Sequence, residues 1–354
     1  MLPYWVLFAI FALGSLEYRR RHLIGSGSTP FLWIGGVFIA LMVGLRYEVG
    51  GDWGNYERIY ESFRYADLAE SITKSDPGYA ILNWMGQQLG YEIWFVNLIC
   101  AIVFAWGLVR FAKRQPNPWL AILVGVPYLI VVVAMGYTRQ AVALGLILAG
   151  LAIVDRTSVV RFAVYVLLAV IFHKSAIVVL PLVAMAATRN RLITLGLFVV
   201  LAAMLFYLFV AGSIDTMMVN YVEAAYSSSG AAVRILMNIP PALLFLLFQN
   251  RFALGQQQKV LWRNFSIAAF GCLALFLYLE SSTVVDRLAL YLIPLQLFVW
   301  SRLPEAFPDR RRANEQIVLV AILYSAVVQF TWLNYATHSF AWVPYRFYPV
   351  AGGA

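Results

Sequence analysis

Ile171 to Pro181 reads IFHKSAIVVLP, a histidine and a lysine between two apolar runs at 159–172 and 175–187. Each run is short for a bilayer crossing, which takes roughly 20 apolar residues. The two runs make either one interrupted span or the two strokes of a hairpin, and the flanking charges choose between these. Arg156 and Arg161 stand at the start of the pair, and Arg189 and Arg191 follow it. Positive charge marks the cytoplasmic side of a membrane protein, so both flanks are expected on that side. The chain then goes out and returns, as a hairpin or paired half-helices, with His173 and Lys174 at the outward tip.

The rest of the sequence fits that reading. The chain of 354 residues is 62% hydrophobic and 12% charged, against about 25% charged in soluble domains. Apolar runs of about 14 to 22 residues recur along almost its whole length, and no soluble core buries so many helices apolar all round. The expected fold is an all-α, polytopic transmembrane helix bundle of about 11–12 spans, forming one domain over 1–354. The spans are read at 2–16, 30–45, 92–112, 119–135, 139–154, 159–172, 175–187, 192–212, 234–249, 264–279, 287–303 and 315–333. The first run has its basic cluster, Arg19 to Arg21, after it, where a secretory signal has positive charge before it. It is read as a retained span. Cys100 and Cys272 each lie inside an apolar run, which suits packing rather than a disulfide or a thiolate metal site.

Basic residues cluster in alternate connections: Arg19 to Arg21; Arg110, Lys113 and Arg114; Arg156 and Arg161; Arg189 and Arg191; Arg251, Lys259 and Arg263; and Arg302 with Arg310 to Arg312. These connections are expected to be cytoplasmic, with both termini outward. Their positions account for the net charge of +9 without a nucleic-acid partner. The outward span ends carry lone cations instead: Arg46, Arg139, Arg234 and Arg287, with Lys174 at the hairpin tip. One such cation signifies little, because mid-bilayer burial costs about 2.5–3.5 kcal/mol and snorkelling reduces that. Several from distant segments meeting on one side point to a site.

The longest polar segment, 46–91, is expected to be an extracytoplasmic loop with amphipathic helices between the second and third spans. Trp53, Tyr56, Ile59, Tyr60 and Phe63 recur at helical spacing. Such a stripe is expected to lie flat on the outer membrane surface with its rings among the headgroups. Gly50-Gly51 permits a tight approach, leaving Asp52 either to cap the helix or to project toward a site. Asp76 before Pro77 has the form of a helix start, with the aspartate as cap.

Five stretches carry a family resemblance: RYEVGGDWGNY (Arg46 to Tyr56), SDPGYAILNW (Ser75 to Trp84), YTRQAVALGL (Tyr137 to Leu146), FHKSAIVVLP (Phe172 to Pro181) and DRLALYL (Asp286 to Leu292). In order and placement they resemble the EpsG family of Wzy-like membrane polysaccharide polymerases. The resemblance covers most of the chain in topology, but only these short motifs in residues. It implies an enzyme that joins oligosaccharide repeat units carried on undecaprenyl diphosphate, at the outer face of the bacterial inner membrane. It also implies membrane lipid as surroundings, and a flippase and a chain-length regulator as working partners. Carried over, the candidate site residues are Arg46, Asp52, Tyr56, Arg139, Gln140, His173, Lys174, Arg287 and, within DRLALYL, Tyr291. Arg234 joins them by position. The helical architecture compares by analogy with the GT-C class of membrane glycosyltransferases, and a shared fold does not establish chemistry.

Sugar transfer from a lipid diphosphate breaks an anomeric C–O bond and releases a diphosphate anion. Arginine suits that leaving group, because its planar fork makes bidentate, charge-assisted bonds to phosphate oxygens. Arg139, Arg234 and Arg287 are assigned to it, with Lys174 as a supporting point charge. The acceptor hydroxyl needs a base, and His173, Asp52, Glu280 and Asp286 are the outward candidates. Nearby cations hold His173 toward neutrality, whereas an oxocarbenium-like transition state favours a carboxylate such as Asp52. His173 and Asp52 both stay open for the catalytic role, and His173 also suits phosphate binding or capping of the hairpin. His22 and His338 are read as bystanders.

The sequence has neither a phosphate-cradling Gly-rich loop nor a paired-acid metal motif, which speaks against a nucleotide-sugar enzyme. No metal and no cofactor are expected, since the arginines supply positive charge. Two other classes compete. A flippase or transporter of a lipid-linked oligosaccharide would spread its charges through the membrane depth or show repeats with broken helices. A membrane O-acyltransferase modifying a polysaccharide would need a donor path and catalytic cluster on the cytoplasmic side.

Overall fold

The computed structural model describes residues 1–22, 30–154, 159–187, 190, 192–193, 196, 199–200, 203, 230–278, 283–307 and 311–351. Most of the expected span 192–212 and of the loop 213–233, and all of Glu280, lie outside the described residues. Among the described residues the regular structure is helical, with one isolated antiparallel bridge between Arg46 and Phe347. Ile93–Ala112, Ala231–Phe248, Gln256–Tyr278 and Asn314–Tyr335 are long and apolar enough to cross a bilayer. Leu2–Tyr18, Phe31–Gly44, Pro118–Ala134, Thr138–Leu151, Val160–Val170 and Lys174–Ala187 are shorter apolar helices. Leu13, Ile34, Leu247, Leu277 and Leu323 are exposed on the outside of the bundle, as befits a surface whose solvent is hydrocarbon.

In chain order the helices are α1 (Leu2–His22), α2 (Pro30–Gly44), α3 (Trp53–Glu61), α4 (Leu68–Lys74), α5 (Pro77–Gln88), α6 (Ile93–Ala112), α7 (Pro118–Gly125), α8 (Thr138–Leu151), α9 (Val159–Val170) and α10 (Val179–Ala187). They continue as α11 (Ala231–Leu236), α12 (Ile239–Phe248), α13 (Gln256–Tyr278), α14 (Thr283–Leu290), α15 (Ile293–Arg302), α16 (Arg311–Tyr335) and α17 (Tyr348–Ala351). Two expected spans differ in form. The span read at 264–279 begins earlier, at Gln256, because a polar glutamine-rich first turn is tolerated at a helix end. The span read at 287–303 is two helices, α14 and α15, broken at Tyr291 and Leu292. Pro294, without an N–H, opens the second helix, and tight bonds from Tyr291 N to Leu288 O (3.0 Å) and from Leu292 N to Ala289 O (3.1 Å) close the first.

Proline also shapes α7, which widens into a π-helix over Val126–Ala134 with Pro127 at its start. Asn117, ahead of Pro118, accepts from Leu120 N at 3.0 Å and caps α7. The closest helix contact is between α6 and α8. A Cβ on Gly107 would fall 1.9 Å from the Gly145 carbonyl oxygen, and one on Gly145 would fall 2.6 Å from Phe104 Cα. Only hydrogen side chains let these backbones approach so closely.

The hairpin is present. α9 ends at Val170, residues 171–173 turn, a 3₁₀ segment spans Lys174–Val178, and α10 returns. Its outgoing helix starts beside basic α6, where Trp106 stacks on Tyr165 and Arg110 lies 5.7 Å from the Tyr165 ring. Its turn lies at the opposite end, where Ile171 O accepts from Gly78 N at 2.8 Å. Pro181 falls in the first turn of α10, where a missing N–H costs nothing.

The aromatic stripe of α3 does not meet lipid. Trp53, Tyr56, Tyr60 and Phe63 are buried in the protein. Tyr56 packs edge-on to Tyr79 of α5 with ring centroids 5.6 Å apart, and Tyr60 fills the space left by Gly86. The 46–91 segment therefore folds onto the bundle, because α5 and α6 offer its rings an apolar partner within the protein. The segment after α16 locks this end. The Trp342 indole N–H donates to Val131 O of the π-helix at 2.7 Å, while its ring presses on Gly136 and lies against Gly51. Gly50 has φ +113° and donates to Ala341 O at 2.9 Å. A Cβ there would sit 2.3 Å from Met135 O, so position 50 needs glycine for its conformation and for space.

Gly107→Ala is expected to destabilise the protein by about 1–3 kcal/mol, as for other overpacked contacts. Gly271→Ala, where a Cβ meets nothing within 4 Å, is expected to be neutral. Thermal unfolding in detergent checks the pair, and equal midpoints for both variants would refute the close crossing of α6 and α8.

Candidate functional site

Arg139, in the first turn of α8, is the hub at this end of the bundle. It projects from the break between the π-helix and α8, where Tyr137 leaves helical geometry (φ −126°, ψ 68°). Its Nη1 donates to Asp76 Oδ2 at 2.9 Å and to Ser75 Oγ at 3.4 Å. Its guanidinium lies beside the Tyr56 phenol and 6.0 Å from the Tyr79 ring centroid. The side chain is still 30% exposed, against 11% for Asp76.

Asp76, expected as a helix cap, and Asp52, left open between a cap and a site residue, do not cap. Asp52 stands at the head of α3 and Asp76 at the head of α5, yet neither side chain makes a cap hydrogen bond. Asp76 turns to Arg139 instead, because a half-buried guanidinium is a stronger partner than a solvated helix end. Asp52 is half-buried, and the charges of Arg139 and Arg287 both act on it. Burial raises its carboxyl above the usual range, outweighing the pull of the two arginines.

His173 lies in the hairpin turn, half-buried, with Nδ1 3.3 Å from the Tyr291 hydroxyl. Burial, then Arg287, then Arg139 push its imidazole down from 6.5 to about 4, so the ring is neutral at physiological pH. Tyr291 comes from the break between α14 and α15 and is fully buried. Arg287, one turn earlier on α14, is exposed, and its backbone carbonyl accepts from Gln140 Nε2 at 3.1 Å. Lys174 is exposed at the hairpin tip. The end of α8, the 46–91 segment, the hairpin turn and α14 thus bring Asp52, Tyr56, Arg139, His173, Arg287 and Tyr291 together.

Other expected site residues are engaged inside the protein. Arg46 is 1% exposed. It donates to Val43 O (2.6 Å), Val49 O (3.1 Å), Thr138 Oγ1 (2.8 Å) and Asn97 Oδ1 (3.4 Å), and so serves as a strut between α2, α6 and α8. Arg234 and Asp286 form an ion pair of 2.5 Å with both side chains 7% exposed. Arg234 also donates to the Tyr137 hydroxyl at 3.4 Å. That pair joins α11 to α14, with both side chains engaged inside the protein. Gln140 is buried and holds the backbone of α14. On α14, Asp286 and Arg287 are neighbours in sequence, but one helical step of about 100° turns one inward and the other outward.

Ser75, Asp76 and Tyr137 belong to this group without having been assigned to it. Asp76 lies in a quoted motif, but Asp-Pro also begins ordinary helices, and nothing local to SDPGY reveals a partner on α8. Among the described residues no group of three or more His, Cys, Asp or Glu is placed to hold a metal ion.

A bundle of apolar helices, with charged groups from distant segments gathered at one end, defines a multi-pass membrane protein with a polar site. The chain matches the EpsG family over residues 31–347 of 354 and belongs to it. That membership places it with membrane proteins of polysaccharide biosynthesis of the polymerase type. No curated protein and no solved structure matches the chain.

Arg287→Gln is expected to raise the His173 titration midpoint above about 4 but short of 6.5, since burial is the larger cause and remains. Imidazole titration followed by NMR measures the shift. An unchanged or lowered midpoint would place Arg287 away from His173.

Proposed function

We propose that this protein polymerises a polysaccharide from oligosaccharide repeat units carried on undecaprenyl diphosphate, at the outer face of the cytoplasmic membrane. The observation that carries the reading is the meeting of two partly open guanidiniums, Arg139 and Arg287, with a carboxylate and a neutral imidazole, Asp52 and His173. In the reaction an acceptor hydroxyl oxygen forms a bond to the anomeric carbon of the donor glycan. The bond from that carbon to the diphosphate oxygen breaks, and the diphosphate keeps the electron pair. The hydroxyl proton passes to a protein base, Asp52 or His173.

Arg139 and Arg287 hold the diphosphate as its charge grows, and Lys174 adds an exposed positive charge at the hairpin tip. Asp76 fixes the Arg139 fork so that little reorganisation is needed at the moment of transfer. Tyr56 supports the same guanidinium from α3. The family match supports the polymerase class. The donor lipid is what the resemblance to the EpsG family implies, and the orientation rests on the alternation of basic connections along the chain. Stabilisation of the leaving group by these arginines makes a metal ion unnecessary to the proposed transfer.

The test is purified protein with undecaprenyl-diphosphate-linked repeat units as the sole substrate. A ladder of products is expected, with turnover falling about 10²–10³-fold in Arg139→Ala, the usual cost of one donor at a developing anion. Movement of labelled lipid across vesicles without any ladder would replace the polymerase by a transporter.

A further inference from the structure

We infer that Tyr291 fixes His173 in the tautomer with its proton on Nε2, so that His173 is a hydrogen-bond donor in the site and Asp52 is the base. The inference deepens the proposed glycosyl transfer and, for the role of Asp52, rests on that reading.

The argument starts from the Tyr291 hydroxyl. Tyr291 is fully buried, in the two-residue break that Pro294 imposes between α14 and α15. A buried phenol needs an acceptor for its proton. Among the described residues the hydrogen-bond partner of this hydroxyl is His173 Nδ1, at 3.3 Å. If the phenol donates, Nδ1 offers its lone pair, and the one proton of the neutral ring resides on Nε2. If the ring donated from Nδ1 instead, the phenol proton would have to find another acceptor inside a fully buried pocket. The first arrangement satisfies both groups with one bond.

The two side chains are held in place independently of each other. The His173 backbone N–H donates to Ala169 O at 2.9 Å, which closes the end of α9. The preceding residue, Phe172, lies against Gly78, where a Cβ would be 3.0 Å from its ring. The Tyr291 backbone is closed onto Leu288 at 3.0 Å. A histidine protonated on Nε2, with Nδ1 engaged, has no lone pair left for an acceptor hydroxyl. What it offers is an N–H, and with Arg287 and Arg139 beside it the natural recipient is a diphosphate oxygen. Asp52 then stands as the acceptor of the hydroxyl proton, since its carboxylate caps nothing and is half-buried beside the same two arginines. During transfer the acceptor proton moves to Asp52, the anomeric C–O bond to diphosphate breaks with its electron pair, and His173 keeps its proton while bonding to the departing oxygen. Tyr291 acts through His173 and is a positioning residue.

The first measurement is histidine-selective ¹⁵N NMR on full-length protein in which His22 and His338, the other two of its three histidines, are replaced by glutamine. Protonated Nε2 and bare Nδ1 are expected in the parent, with that preference lost in Tyr291→Phe. Protonated Nδ1 in the parent, or an unmoved tautomer in Tyr291→Phe, overturns the inference. The second measurement is polymerisation by His173→Gln, whose carboxamide N–H can stand in for Nε2–H. It is expected to keep turnover within about tenfold of the parent, while His173→Ala and Asp52→Asn each lose about 10²-fold or more. His173→Gln as inactive as His173→Ala, with Asp52→Asn still active, would make His173 the base and overturn the assignment. A parent with the expected tautomer that yields no ladder overturns the polymerase reading and the role of Asp52, while the Tyr291–His173 bond stands.

Discussion

The ion pair between Arg139 and Asp76 is the contact through which the rest of the site is assembled. It ties the first turn of α8 to the head of α5 across a sequence separation of 63 residues. Once α5 is held there, Gly78 reaches the hairpin and binds Ile171 O, and its missing side chain admits the Phe172 ring. The hairpin turn in turn presents His173 to Tyr291. Each contact fixes the next, so the geometry at His173 depends on the carboxylate at the head of α5. The pair has the strength for this because both partners are partly withdrawn from water and the bond is charge-assisted.

Low dielectric sorts the arginines into two kinds. A guanidinium that loses its water must have its donors satisfied inside the protein. Arg46 meets this with four oxygen acceptors, and Arg234 with Asp286 and the Tyr137 hydroxyl. Neither needs a ligand, and both stiffen the scaffold. Arg139 keeps part of its surface open and Arg287 most of it, and these two act on both Asp52 and His173. A structural cation and a ligand-binding cation therefore sit within one cluster, separated by their degree of internal satisfaction and not by residue type.

This sorting explains what could be read from the sequence. The helical membrane class and the hairpin at 159–187 follow from hydropathy and the alternation of basic connections, both summed over many residues. Arg139 and Arg287 were legible as lone cations at span ends, and His173 as a residue of the hairpin tip. Which arginines face outward was not, because Arg46 and Arg287 look alike until Thr138 and Asn97 are seen around the first. Asp76-Pro77 and Asn117-Pro118 present the same local signal, yet only Asn117 caps its helix. The difference lies in Arg139, far along the chain. The α3 stripe was visible as a stripe, but its choice of protein over lipid depended on Tyr79 and Gly86 in another helix. The break at Tyr291 depended on a single proline within an otherwise continuous apolar run.

Trp342 is wedged between the glycine turn that precedes Asp52 and the turn that precedes Arg139, pinned by its indole to the π-helix. It is translated after every one of the helices it braces. While a ribosome is still making the polypeptide, these two turns lack the ring that sets their spacing. Inserted but unfinished chains would thus hold the acidic and basic halves of the centre out of register until Trp342 has emerged.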